Sequence, residues 1–342
     1  MKNTLYPIVI SVLGVAVFQT TGLPLPFLLG PIVACLIAAL VGVPMRGNAL
    51  LNDGMRTILG VAVGATFTMP LLLSMTSMWP TLLLIPVMIA AIGAIGVPYF
   101  QRLWGYDFAT SYYASMPGGF QDMVLFGEDA GADVRVLSLI HATRVMVIVI
   151  ALPFILRWAW NADLSTPPGD PAATIAPSQL ALMVFCGIAG WRLALRLGMF
   201  GASILGPLIL AASLALTGVL QHRPPAEAIW AAQFFIGMGV GAKYAGVTMT
   251  EVRTSVTAAI GFCVILLILT ICFAEFIHLL DLAPAMETIL AFAPGGQAEL
   301  TVLALIVGAD MAFVIAHHVL RIFVVIMGAP LFARLFRTDT PD

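Results

Sequence analysis

Apolar residues follow one another along most of this chain without a polar face, in stretches of about 20 residues separated by short polar punctuation. Helices of that length cross a hydrocarbon core of about 30 Å, so the pattern predicts a polytopic helical membrane protein. A membrane β-barrel would show short segments alternating apolar and polar residues, which this sequence lacks. The predicted spans are 4–20, 23–42, 56–75, 79–100 and 134–158, then 180–196, 199–219, 228–247, 255–278 and 311–335. The opening run MKNTLYPIVISVLGVAVFQTTG has the layout of a signal peptide, but no small-residue cleavage site follows it. Residues 182–198 carry its counterpart, so it reads as a retained first span.

The second five spans restate the first five. GLPLPFLLGPIVACLIAALVG at 22–42 returns as GMFGASILGPLILAASLALTG at 198–218, and LGVAVGA at 59–65 returns as IGMGVGA at 236–242. Pro117 and Pro294, His141 and His318, Arg144 and Arg321, and Pro153 and Pro330 keep the same spacing of 177 residues. The chain therefore divides into a first membrane repeat at 1–160, an external linker at 161–179 that is polar and proline-rich, and a second membrane repeat at 180–342.

Between the fourth and fifth span of each repeat lies an interruption, ASMPGGFQDM at 114–123 and AFAPGGQAEL at 291–300. Its geometry decides the topology. If each is a re-entrant pair of half-helices, Lys2, Arg46, Arg56, Arg102, Arg135, Arg192, Arg196, Lys243, Arg253, Arg334 and Arg337 all fall on the cytoplasmic side. Arg157 and Arg223 alone fall outside, as the excess of cytoplasmic positive charge in membrane proteins requires. Each repeat then crosses five times, an odd number, so the second is inverted relative to the first. The expected fold is all-α, with about ten transmembrane helices in two inverted five-helix repeats, each with a Pro-Gly-Gly re-entrant or broken helix. The expected location is a bacterial inner membrane, with both termini cytoplasmic.

Composition supports this and narrows the partners. The chain is 61% hydrophobic and 9% charged, with mean hydropathy +1.05, whereas soluble domains carry about a quarter charged residues. A formal charge of −2 and the lack of a basic tract point away from nucleic acid. Cys35, Cys186, Cys263 and Cys272 all sit inside apolar runs and read as buried small hydrophobes rather than a disulfide framework.

The interruptions carry the candidate chemistry. Non-helical backbone at membrane depth leaves unpaired peptide groups and persists only where protein encloses it or a wet cavity receives it. Pro117, Gly118 and Gly119, and likewise Pro294, Gly295 and Gly296, should end one half-helix and begin another. The free N–H groups and positive dipole end of the second half-helix then face the site. An interfacial turn between two surface helices is the alternative. Asp122 and Glu299 follow the tips at matching positions; they are either dipole-stabilised first-turn acids or ion-coupling groups. Arg144 lies roughly 15 Å along its helix, near mid-bilayer, and Arg321 matches it. Such an arginine must face the interior toward an anionic partner: Asp122, Glu299, the carbonyl end of a broken helix, or an anionic substrate. His141 and His318 sit one turn before these arginines, as core residues or proton carriers. Gln121 aligns with Ala298 and Phe120 with Gln297, so the two half-sites are unequal. Asp133 and Asp310 read as helix N-caps, and Gly60/Gly64 and Gly237/Gly241 as close-packing positions.

The blocks MPGGFQDMVLFGEDAGADVRVLSLIHATR and APGGQAELTVLALIVGADMAFVIAHHVLR resemble the duplicated membrane family called AbrB, along essentially the whole chain. That family carries labels of ammonia monooxygenase and of regulator. The resemblance implies kinship with the cation:proton antiporters and the anion or bile-acid transporters, with discontinuous helices meeting at the centre of inverted repeats.

The expected function is secondary active transport of a small solute, an organic anion or amino-acid-like compound. It would be coupled to Na⁺ or H⁺ by alternating access, with Pro117–Gly119, Gln121, Asp122, His141, Arg144, Pro294–Gln297, Glu299, His318 and Arg321 as binding residues. No enzymatic activity, cofactor or bound metal is expected; the partners are the solute or ion, the lipid bilayer and, in a homodimer, a second copy. The alternatives are a monovalent cation/proton antiporter and a membrane regulator or monooxygenase-type subunit.

Overall fold

The computed structural model describes residues 2–45, 48–74, 77–164, 167–199 and 201–336. Arg46 and Arg337 lie outside the described residues, as do the side chains of Lys2, Gln121 and Arg334. Among the described residues the structure is helical and contains no strand. The first half forms α1 (Lys2–Thr20), α2 (Pro26–Leu40), α3 (Ala49–Gly64), the short α4 (Met69–Ser74), α5 (Trp79–Pro98), α6 (Phe108–Ser115), α7 (Phe120–Asp129) and α8 (Val134–Trp160). The second half forms α9 (Pro177–Arg196), α10 (Ala202–Leu216), α11 (Ala226–Ala242), the short α12 (Met249–Glu251), α13 (Thr257–Leu279), α14 (Ala285–Phe292), α15 (Gln297–Val307) and α16 (Met311–Phe336). Asp133 Oδ1 accepts from the Arg135 and Val136 N–H groups, and Asp310 Oδ1 from that of Ala312, so both start their helices as expected.

Among the described residues, five helices are long and apolar enough to cross a membrane: Trp79–Leu103, Val134–Trp160, Pro177–Arg196, Met249–Leu279 and Met311–Ala329. Other predicted spans are shorter, for local reasons. α2 starts behind Leu25 and α10 behind Gly201, both left-handed, with φ of 49° and 59°. Gly42 and Gly218, at φ 87° and 75°, end the same helices. The expected span 56–75 is corrected: α3 begins at Ala49 and stops at Gly64, and α4 is a separate short helix. Its apolar run misled because the helix starts in the polar stretch NALLNDG, where the Asn48 side chain caps the Leu51 N–H at 3.1 Å. Cys35, Cys186 and Cys263 are buried, but Cys272 is exposed on α13; all four are free.

The chain forms two compact units, each drawing on both sequence halves. The first comprises Met1–Thr76, Val149–Val247 and Gln297–Ala312. In it α2 packs on α1 and α11, while α10 packs on α9 and α3. The contacts are reciprocal at the level of single glycines. A Cβ on Gly237 would lie 2.5 Å from the Leu28 carbonyl oxygen, and one on Gly241 would lie 2.6 Å from that of Ile32. At the matching positions Gly60 faces the Ile204 carbonyl and Gly64 that of Leu208. These small residues let helix backbones touch, so third helices pack on the opposite half's second helices.

The second unit comprises Ser77–Ile148, Thr248–Gly296 and Phe313–Asp342. Here α5 packs on α6 and α13 on α14. Tyr99, just past the end of α5, packs on Phe262 of α13, with ring centroids 5.9 Å apart and the tyrosine hydroxyl donating to the Ala258 carbonyl at 2.9 Å. The Tyr112 hydroxyl ties α6 to the Ala329 carbonyl of α16 at 2.9 Å.

Candidate functional site

Both interruptions are true breaks in the helix. After α6, Met116 is extended (φ −68°, ψ 128°), and the chain regains helical geometry only behind Gly119 (φ −63°, ψ 141°). After α14, Ala293 is likewise extended, and α15 begins at Gln297. The tips are enclosed: Pro117, Gly118, Pro294 and Gly295 are buried, and Gly119 and Gly296 partly so. A Cβ on Gly118 would lie 2.8 Å from the Met123 Cε and 2.9 Å from a Val325 methyl, so a side chain there would force its neighbours to shift.

A helix that ends inside protein leaves up to four carbonyls without partners. Here arginines take them. Arg144, 2% exposed on α8, donates from Nη1 to the Met116 carbonyl at 2.9 Å and from Nη2 to the Gly118 carbonyl at 3.0 Å. Arg321, 2% exposed on α16, donates from Nη1 to the Ala293 carbonyl at 2.6 Å, the residue matching Met116. One turn earlier, His318 donates from Nε2 to the Leu290 carbonyl at 3.0 Å. His141 is fully buried at the corresponding place on α8. Both guanidiniums keep a buried Nε without a hydrogen-bond partner, and they lie within electrostatic reach of one another. Of the partners the sequence left open, the carbonyl end of the broken helix is the one the structure supplies.

Asp122 is half-buried in the first turn of α7, where its carboxylate accepts from its own backbone N–H. It makes no salt bridge among the described residues. Pro117–Gly119, Asp122, His141, Arg144, Pro294–Gly296, His318 and Arg321 thus share the second unit, whereas Gln297 and Glu299 belong to the first. Of Gln121 only the backbone, in α7, is described.

In the first unit, Glu299 is 4% exposed in the opening turn of α15, which packs on α3. Lys243, at the C-terminal end of α11, is attracted by Glu299 and repelled by Arg56. Arg56 in turn pairs with Asp53 at 3.5 Å, and the Ser203 hydroxyl donates to Asp53 at 3.4 Å. Gln297 Nε2 and Thr301 Oγ1, also on α15, are buried without partners. Sequence reading treated Arg56 and Lys243 as topology markers and passed over Asp53, Ser203 and Gln233. Comparing the repeats position by position would have found them, because Arg56 stands opposite Gln233, Asp53 opposite Trp230 and Lys243 opposite Thr66.

Apolar helices of spanning length, with helix breaks enclosed by protein and held by buried arginines, define a helical membrane protein. The profile described as "Transition state regulatory protein AbrB" matches residues 27–337, and the chain belongs to the AbrB family. It is 26% identical over 343 residues to the "Putative regulator AbrB" of Escherichia coli (strain K12), an alignment covering 97% of this chain and 96% of that protein. It is also 25% identical over 370 residues to the "Uncharacterized protein YhjN" of Bacillus subtilis (strain 168), covering 98% and 93%.

Proposed function

We propose that this protein is a secondary active transporter of a small solute, coupled to Na⁺ or H⁺, working by alternating access around its two broken helices. The observation that carries this is the matched pair of buried arginine caps. Placing an arginine at mid-membrane costs about 2.5–3.5 kcal/mol on insertion scales, and an uninterrupted helix would need none. The breaks are therefore sustained for what they expose: half-helix N-termini whose N–H groups and dipole favour a carboxylate or other anionic group.

Several features support re-entrant, inverted repeats. With 8 and 10 residues, α6 and α7 run about 12 and 15 Å, each half of a hydrocarbon core. α14 and α15 repeat this with 8 and 11 residues. The reciprocal glycine packing of the first unit fits a two-fold relation between halves, and two compact units provide the bodies that alternating access needs. Together with the distribution of Lys and Arg, these features support a reading in which both termini lie in the cytoplasm of a bacterial cell. Monovalent cation/proton antiport is the second reading, favoured by a carboxylate at the same position after each break. The word regulator in the name of the Escherichia coli relative fits a transporter whose solute feeds a regulatory signal.

The test is reconstitution in proteoliposomes under imposed Na⁺ or pH gradients, with uptake read for small carboxylates and amino acids and internal pH read for antiport. Gradient-driven flux that Arg144→Gln abolishes is expected. Proteoliposomes that pass none of these solutes or ions under either gradient would overturn the proposal.

A further inference from the structure

The first unit holds a cavity of about 830 Å³ whose lining includes no residue of the helix breaks. One wall includes an aromatic pair, Phe27 at the start of α2 stacked on Trp230 of α11, with centroids 5.3 Å apart and planes 15° from parallel. Gln233, on the same face of α11 one turn later, also lines it. That glutamine is 2% exposed, and its Nε2 has no hydrogen-bond partner. A buried amide N–H left unpaired is costly, and an acceptor oxygen entering the cavity would satisfy it. Arg157, from the end of α8, lines the same space and uses one of its donors on the Gly22 carbonyl at 3.1 Å. Leu25 lies on the wall too, in the left-handed conformation that its counterpart Gly201 adopts without a side chain.

The matching place in the other half carries different chemistry. Phe27, Trp230 and Gln233 correspond to Ser203, Asp53 and Arg56. There the aromatic stack is replaced by the Ser203–Asp53 hydrogen bond and the amide by the Asp53–Arg56 ion pair. One half closes the position with its own charges; the other keeps it open and aromatic, with an unused donor.

We propose that this cavity binds a small organic monocarboxylate with a flat apolar body. The body covers Phe27 and Trp230, an oxygen accepts from Gln233, and Arg157 supplies the positive charge. Asp163 on the same wall sets the charge limit, since a second carboxylate on the ligand would meet it. The proposal names a solute class for the transport reading above and rests on that reading for its purpose, but binding itself needs no gradient.

The experiment is calorimetric titration of the purified full-length protein in detergent with phenylacetate and with phenylacetamide, its uncharged counterpart. Saturable binding is expected, with phenylacetate preferred about tenfold. Gln233→Leu and Trp230→Leu should each weaken phenylacetate about tenfold, whereas Trp230→Phe, which keeps the stack, should bind normally. Arg157→Gln should erase the preference for the acid over the amide. Size-exclusion profiles confirm that each variant is folded. No saturable binding by the unaltered protein, or binding that survives both Gln233→Leu and Trp230→Leu, overturns the site. Binding here without flux of any solute would sustain the site and sink the transport reading. Flux of other solutes with no binding here would do the reverse.

Discussion

Arg144 shows what one side chain must do to keep a helix open inside a membrane protein. Its planar fork reaches two carbonyls at once, those of Met116 and Gly118, a geometry lysine's single ammonium reproduces poorly. Arg144→Gln leaves at least one of these buried carbonyls unpaired, at about 1–3 kcal/mol each. The variant should therefore melt earlier in detergent, with Arg144→Lys falling between it and the unaltered protein. Differential scanning fluorimetry checks the order; an unchanged melting temperature for Arg144→Gln would mean the caps are not structural. The two acids should differ as well. Glu299 is buried and attracted to Lys243, while Asp122 is half-exposed and self-satisfied. Glu299→Gln should cost coupled flux at least as much as Asp122→Asn, which uptake in proteoliposomes measures. The positions of Arg144 and Arg321 were legible in the sequence, because charge in an apolar run stands out. Their partners were legible only as one of four candidates, the carbonyl end of a broken helix; every residue carries a carbonyl, so nothing in the residue types marks the particular ones that lose their helical bond.

Elements were legible where composition alone sets them and blurred where packing does. The long apolar helices α5, α8, α13 and α16 fall where hydropathy puts them, while α3 begins seven residues before the run that announced it. Glycine spacing predicted close packing without revealing that the partner helix comes from the other repeat. That gives two predictions of opposite sign in one kind of substitution. Gly237→Ala would press a methyl group against the Leu28 carbonyl and should destabilise by about 1–3 kcal/mol. Gly54, inside α3, meets nothing within 4 Å of an added Cβ, so Gly54→Ala should stabilise by about 1 kcal/mol through helix propensity. Thermal unfolding of the two variants side by side reads both signs, and equal shifts would mean that the cross-repeat contact does not govern stability.

At the scale of the whole molecule, the duplication was plain in the constant spacing of matched residues. The interleaving of both halves in each compact unit was not, because sequence order says nothing of which helix faces which. The orientation proposed across the bilayer rests on the two Pro-Gly-Gly segments. On the proposed re-entrant reading each returns the chain to the side it came from, with the loop after α7 in the cytoplasm and the loop after α15 outside. If each instead crossed fully, both loops would face outward and five of the basic residues would move with them. Cysteine labelling separates these outcomes in a background lacking the four native cysteines, all of which are free. Val307→Cys should take up a membrane-impermeant maleimide in intact cells, and Glu128→Cys only after permeabilisation. Labelling of both from outside would remove the inversion, and with it the proposal of transport by alternating access.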